Sequence, residues 1–113
     1  MTAGCDRIIK KIDFENIFKR GKTIAGKLIF FKIIKTNTVK TRTCVVVGSK
    51  ISKKATVRNK IRRRIKGAMK GICPGLARGF DIAIVAKKEI VDEDYQTIKE
   101  EINKLLKTTK VYK

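Results

Sequence analysis

Between Asn16 and Phe80 the chain runs for 65 residues without an Asp or Glu while placing nineteen Lys and Arg, so the whole formal charge of +19 falls in that window. The other 48 residues carry ten basic and ten acidic side chains and are neutral overall. Any fold must gather the apolar residues of the window into a core while leaving its cations on a surface with no local counter-charge. Such a surface fits a polyanion. Nucleic-acid phosphates are spaced closely enough to pair with many cations at once, and each docked cation releases condensed counterions. Solubility alone is served by a net charge of roughly 2 to 8 in a domain this small.

A length of 113 residues makes one domain, taken as 1–113, with one modest core, and an apolar content of 42% argues for a folded chain. Cys5, Cys44 and Cys73 are odd in number and far apart, without a Cys-x-x-Cys pair or any histidine to complete a zinc site, and read as reduced small hydrophobes. No apolar run reaches the roughly 18 residues of a membrane span, and the N-terminus lacks a signal-peptide core, so the expected compartment is the cytoplasm without a membrane partner. The missing histidine removes the side chain that most often does acid–base work near neutral pH. Metal-dependent nucleases gather Asp and Glu around their ions. Here the acids stand toward the two ends of the chain, so no catalytic residue and no metal ligand is assigned to the protein.

Asp13 is placed to cap a short helix carrying Phe14, Ile17 and Phe18 at i, i+3 and i+4 and closed by Gly21. Its two phenylalanines suit either a core or an exposed aromatic pair. Lys27 to Ile34 reads as a strand with Leu28, Phe30, Lys32 and Ile34 on one face and Ile29, Phe31 and Ile33 on the other. Lys32 inside an apolar stripe marks that face as partly open. A polar turn over Thr36 to Thr41, containing Asn37, leads to a second strand, Arg42 to Val47, and the two are expected to form a hairpin. After a loop with Gly71, Pro74, Gly75 and Gly79, Asp81 to Ala86 reads as a buried strand. The last helix is expected from Asp92 toward Lys110, with Tyr95, Ile98, Ile102, Leu105 and Leu106 as its apolar stripe, covering the sheet.

The middle helix, expected from about Thr56 to Lys70, is built differently. Val57, Ile61, Ile65 and Ala68 or Met69 form an apolar stripe, while Arg58, Lys60, Arg62, Arg63, Arg64, Lys66 and Lys70 crowd the rest. Four like-charge i, i+4 pairs cost about 1–2 kcal/mol together, and Gly67 adds up to about 1 kcal/mol. A helix lying along RNA recovers that penalty when phosphates arrive. Its arginines add planar forks for bidentate phosphate contacts.

Lys54-Ala55-Thr56-Val57-Arg58-Asn59-Lys60-Ile61-Arg62-Arg63-Arg64-Ile65-Lys66 resembles the arginine–asparagine signature of the bacterial ribonuclease P protein component. The resemblance extends over nearly the whole chain, through Arg7, Asp13-Phe14 to Phe18-Lys19, Gly21 and Gly79-Phe80-Asp81-Ile82. It implies an α+β fold, an α/β sandwich like the second domain of ribosomal protein S5, in the order α-β-β-β-α-β-α with a left-handed crossover around the basic helix. That order needs three strands before the basic helix, one more than the pattern shows. The resemblance also implies an accessory subunit of an endoribonuclease, a hydrolase whose RNA subunit is the ribozyme. The partners would be that catalytic RNA and precursor tRNA, with no further protein required, and Mg2+ would be bound chiefly by the RNA and none tightly by the protein.

On matching positions, Arg58, Asn59, Lys60, Arg62, Arg63 and Lys66 would bind RNA, with Lys50 at the edge. Phe14, Phe18 and Lys32 would line a cleft for the single-stranded 5′ leader, between the first helix, the sheet face and the middle helix. Stacking suits a leader of varying sequence because every base offers a π-face. Lys32 stands where the family often has an aromatic, and Ser49-Lys50-Ile51-Ser52-Lys53-Lys54 lacks the family's usual lysine pair and glycine. A ribosomal protein and a DNA-binding protein reading base edges with Asn59 are the rival readings.

Overall fold

The computed structural model describes residues 5–7, 11–36, 41–75 and 79–108. In chain order these form β1 (Cys5–Arg7), α1 (Lys11–Arg20), β2 (Lys22–Ala25), β3 (Ile29–Lys35), β4 (Thr41–Val46), α2 (Ala55–Ile72), β5 (Phe80–Ala86) and α3 (Tyr95–Lys107). Short 3-10 turns occupy Cys73–Gly75 and Lys88–Ile90. The expected order of helices and strands is present, with β1 added at an edge. The strand that the pattern lacked is β2, separated from β3 by a turn at Gly26. That turn requires glycine for space: a Cβ there would stand 2.5 Å from Leu105 Cδ1 and 3.0 Å from the Ile29 carbonyl oxygen.

The sheet order is β1-β4-β5-β3-β2. This corrects the expected hairpin, because β5 lies between β3 and β4, antiparallel to the first and parallel to the second. The reason is burial on two faces. Ile82, Ile84 and Ala86 enter the main core while Ala83 is fully buried on the opposite side, and a strand apolar on both faces gains most at the sheet's centre. Residues 37–40, within the expected turn, lie outside the described residues.

Alternation along β3 decides what each face carries. Ile29, Phe31 and Ile33 are buried, and with Ile82 and Ile84 they meet Ile61, Ile65, Ala68 and Met69 of α2 and Ile98, Ile102 and Leu106 of α3. Each fully buried Ile, Leu or Phe contributes about 1.5–3 kcal/mol of transfer free energy. Phe30, Lys32 and Ile34 face the other way and remain half-buried. On that side α1 sets Ile17 on Ala83, with Phe18, Ile34 and Cys44 around them. The molecule therefore has three layers, α1, the sheet, and the α2–α3 pair.

Three polar devices lock the layers. Glu101 of α3 accepts from the backbone N–H groups of Lys27 (3.1 Å), Leu28 (2.7 Å) and Ile29 (3.1 Å), clamping the helix to the β2–β3 turn. Arg42 of β4 grips the buried Asp81 bidentately, Nε to Oδ1 at 2.9 Å and Nη2 to Oδ2 at 2.6 Å, while Nη1 reaches Asp13 Oδ2 at 3.1 Å. The bond to Asp81 holds the guanidinium above its ordinary range; burial opposes that shift and Asp13 adds to it. Asp13 thus lies in the first turn of α1 and ties it to the sheet, where the sequence reading had it as a cap. Finally, Asp94 caps α3 by accepting from the Thr97 N–H at 2.8 Å, so Asp92 and Glu93 precede the helix that was expected to contain them. Tyr95, expected in the apolar stripe, is 40% exposed, and Lys110 falls outside the described residues.

Cysteine chemistry also departs from expectation. Cys44 is free, its thiol pushed up to about 11 by burial and then by Asp81, so it stays protonated near neutral pH. Cys73 is disulfide-bonded, which corrects the reading of all three cysteines as reduced. Such a bond is uncommon in reducing compartments and lends the cytoplasmic expectation no support.

Candidate nucleic-acid interface

Helical spacing sorts the side chains of α2. With about 3.6 residues per turn, the buried stripe of Ile61, Ile65, Ala68, Met69 and Ile72 leaves Thr56, Asn59, Arg62, Arg63 and Lys66 on the opposite side. These five line one shallow, open recess of about 500 Å³. The structure therefore gathers four of the sequence-predicted residues, Asn59, Arg62, Arg63 and Lys66, and adds Thr56, which motif reading passed over. Thr56 could have been found from its i, i+3 spacing to Asn59. Asn59 Oδ1 accepts from Arg62 Nη1 at 2.7 Å, so the one uncharged member of the signature orients a cation.

The other signature cations are divided between the flanks. Arg58 donates from Nη1 to the Ser52 carbonyl at 2.8 Å, pinning the loop that carries Lys50, Lys53 and Lys54 against the start of α2. Lys50 is exposed in that loop, within a turn closed by the Ile51 N–H to the Gly48 carbonyl at 3.1 Å. Lys60 is exposed on the α3 flank. There Arg64 donates to the Glu93 carbonyl at 2.6 Å, and Gly67 faces the Tyr95 ring, 3.3 Å from where a Cβ would stand. Gly67 is thus a spacer that lets α3 approach, which accounts for a helix-weakening residue at that point. Among the described residues no α2 cation forms a salt bridge. The first turn of α2 holds no acid, and its N-terminal end has no side-chain cap, so the positive pole of the helix adds to the field.

A second surface lies on the α1 layer. Phe14 and Phe18 stack with ring centroids 4.8 Å apart and planes inclined by 37°, both half-buried. Lys32 shares the open sheet face and pairs in register with Ala83, the residue beneath Ile17. Phe31, expected in the core, is fully buried there. The structure does not make α2 a wall of this cleft. The Ile61–Ile65 stripe packs on the opposite face of the sheet from Ile17, so the aromatic pair and the basic recess occupy different layers. Wheel geometry on each helix could not show this, because it fixes faces relative to one helix axis only.

Among the described residues no group of three or more His, Cys, Asp or Glu could hold a metal ion. Asp13 and Asp81 are engaged by Arg42, Glu101 by three backbone donors and Asp94 by its helix, a donor set committed to structure. Nor is any described helix long and apolar enough to cross a membrane.

Fold and surface together define a small α+β protein with one helix face given over to cations. A family model described as Ribonuclease P matches residues 3–110, and the chain belongs to that family. It is 31% identical over 106 residues to the ribonuclease P protein component of Caldanaerobacter subterraneus subsp. tengcongensis, covering 94% of this chain and 90% of that protein. The counterpart from Clostridium botulinum strain 657 is 31% identical over 108 residues, with 95% and 96% covered. Among solved structures, the Staphylococcus aureus RNase P protein superposes with a TM-score of 0.85 at 27% identity, covering 95% of this chain and 97% of that one. The Thermotoga maritima protein gives 0.82 at 29%, covering 92% and 97%. Membership gives the chain a role in ribonuclease P, an endoribonuclease of tRNA processing.

Proposed function

We propose that this chain is the accessory protein subunit of a ribonucleoprotein, docking the α2 recess on the catalytic RNA and holding the 5′ leader of precursor tRNA against the α1–sheet surface. The observation that carries this reading is the recess itself: Arg62, Arg63 and Lys66 converge there with Asn59 and Thr56, with no carboxylate paired to them among the described residues. A phosphate backbone supplies the missing charge, and Asn59 holds the Arg62 fork ready for it. The half-buried Phe14–Phe18 pair suits single-stranded nucleotides, whose bases stack irrespective of sequence.

In this reading Mg2+ supplies the hydrolytic chemistry while held by the RNA, and this chain contributes binding and orientation. The commitment of Asp13, Asp81, Glu101 and Asp94 to structural bonds supports that division. The work takes place in the cytoplasm, with the two RNAs as the only required partners.

The test is cleavage of a precursor tRNA at low magnesium by a bacterial ribonuclease P RNA, with and without this protein. Stimulation at the correct 5′ site, absent with the protein alone, is the expected result. No stimulation by well-folded protein with a compatible RNA would refute the assignment. Phe18→Ala should impair only substrates that carry a leader; equal impairment of mature tRNA binding would return Phe18 to a packing role.

A further inference from the structure

Tyr95 breaks the pattern of its own helix. It stands three residues before Ile98 and seven before Ile102, in line with the apolar stripe of α3, and both isoleucines are buried while Tyr95 is 40% exposed. Its ring rests on α2, where Cε1 lies 3.3 Å from the place a Cβ would take on Gly67. One turn further along α3, Lys99 Nζ lies 3.9 Å from the same point on Gly71. The neighbours of Gly67 one turn away on α2 are Arg63 and Lys70, at i−4 and i+3, and both are exposed. The ring is thus set among three cations, and among the described residues none of them is in a salt bridge. Arg63 also lines the recess, so the two surfaces share an edge.

We propose that Tyr95 is a stacking platform for a base of the catalytic RNA, so that the docking surface spans both helices, with Arg63 and Lys70 holding the phosphates on either side of that base. The inference rests on the reading of the α2 recess as the site of RNA docking. At about 1.5 Å per residue Arg63 and Lys70 are about 10 Å apart along α2, with the ring between them, and their long side chains reach the backbone of a nucleotide seated there. A ring braced on one side by α2 and open on the other accepts any base. Charge complementarity and continuity with the recess select RNA as the occupant. Asp92, Glu93 and Asp94 come just before the ring in the chain, and Asp94 is already committed to the Thr97 N–H. These acids disfavour a phosphate directly over the ring and suit an uncharged base there, its phosphates drawn to the α2 side.

The test measures binding of the full-length protein to a compatible bacterial ribonuclease P RNA across a salt series. Tyr95→Leu keeps apolar bulk and removes the ring. It should lose at least about fivefold in affinity at every salt concentration, with the slope of log K against log salt within about 0.3 of wild type because no charge is removed. Tyr95→Phe should bind as wild type does. Lys70→Gln should instead lower the slope by about 0.7–0.9. The chain contains no tryptophan, so Tyr95→Trp places a single indole at the platform, and saturating RNA should quench its emission and shield it from iodide. That reading decides the matter even if the Leu variant folds poorly. Unquenched, iodide-accessible emission in the RNA complex would overturn the platform, as would Tyr95→Leu binding within about twofold of wild type while the Arg62, Arg63 and Lys66 triple Ala variant loses salt slope; either result leaves the recess reading standing. No slope loss in the triple variant would overturn the recess reading itself.

Discussion

Removing Arg62, Arg63 and Lys66 together should change the salt dependence of RNA binding, and the structure sets the size of the change. All three line the recess and none is paired with a carboxylate among the described residues, so each can neutralise one phosphate. Each such contact contributes about 0.9 to the slope of log K against log salt on a duplex and about 0.7 on a single strand. The triple Ala variant should therefore lose about 2–2.7 from that slope. Between about 50 and about 200 mM salt one contact accounts for roughly a threefold fall in affinity, so wild type should weaken over that range by about 20- to 40-fold more than the variant. Arg64 provides the control, because its guanidinium is held by the Glu93 carbonyl on the α3 flank. Arg64→Gln should leave the slope within about 0.3 of wild type. The assay is filter binding or fluorescence anisotropy of the catalytic RNA across a salt series, with thermal melts to confirm folding. A slope loss at Arg64 equal to that at Arg62 would refute the division of α2 into a phosphate face and a packing flank.

Glu101→Ala strips the acceptor from three backbone N–H groups, of which those of Leu28 and Ile29 are partly buried. At about 1–3 kcal/mol for each buried orphan the loss should be about 2–6 kcal/mol, or roughly 8–25 °C in Tm; a shift under about 3 °C would show that water replaces the carboxylate. Arg58→Ala should release the Gly48–Lys54 loop, seen as faster tryptic cleavage after Lys53 or Lys54 in free protein, and unchanged cleavage would remove the latch. Asp94 lies below the ordinary carboxylate range, chiefly because it accepts from the Thr97 backbone N–H. Its capping contribution is therefore complete above the unfolded value near about 4 and lost as pH falls through the lower folded value. Asp94→Asn keeps the acceptor without titrating, so urea melts from pH 6 down to about 2 should show a shallower acid limb; an identical limb would exclude this cap as its source.

The sequence determined the segregation of charge, the apolar stripes of α2 and α3, the split faces of β3 and the signature around Arg58 and Asn59. All of these are periodicities of a single element, and an element's own geometry decides which of its residues share a side. Only the structure showed that Asp81 is a buried charge and that Arg42 answers it from 39 positions away. Tertiary structure alone decided that β5 separates β3 from β4, that Glu101 holds the Gly26 turn, that Arg64 packs instead of facing outward, and that Cys73 is disulfide-bonded. It also set the aromatic pair and the basic recess on opposite faces of the sheet. Each of these depends on contacts between elements distant in the chain. Their positions are set by which pairing buries most apolar surface and leaves no polar group unmatched, a balance taken over the whole molecule that no local pattern contains.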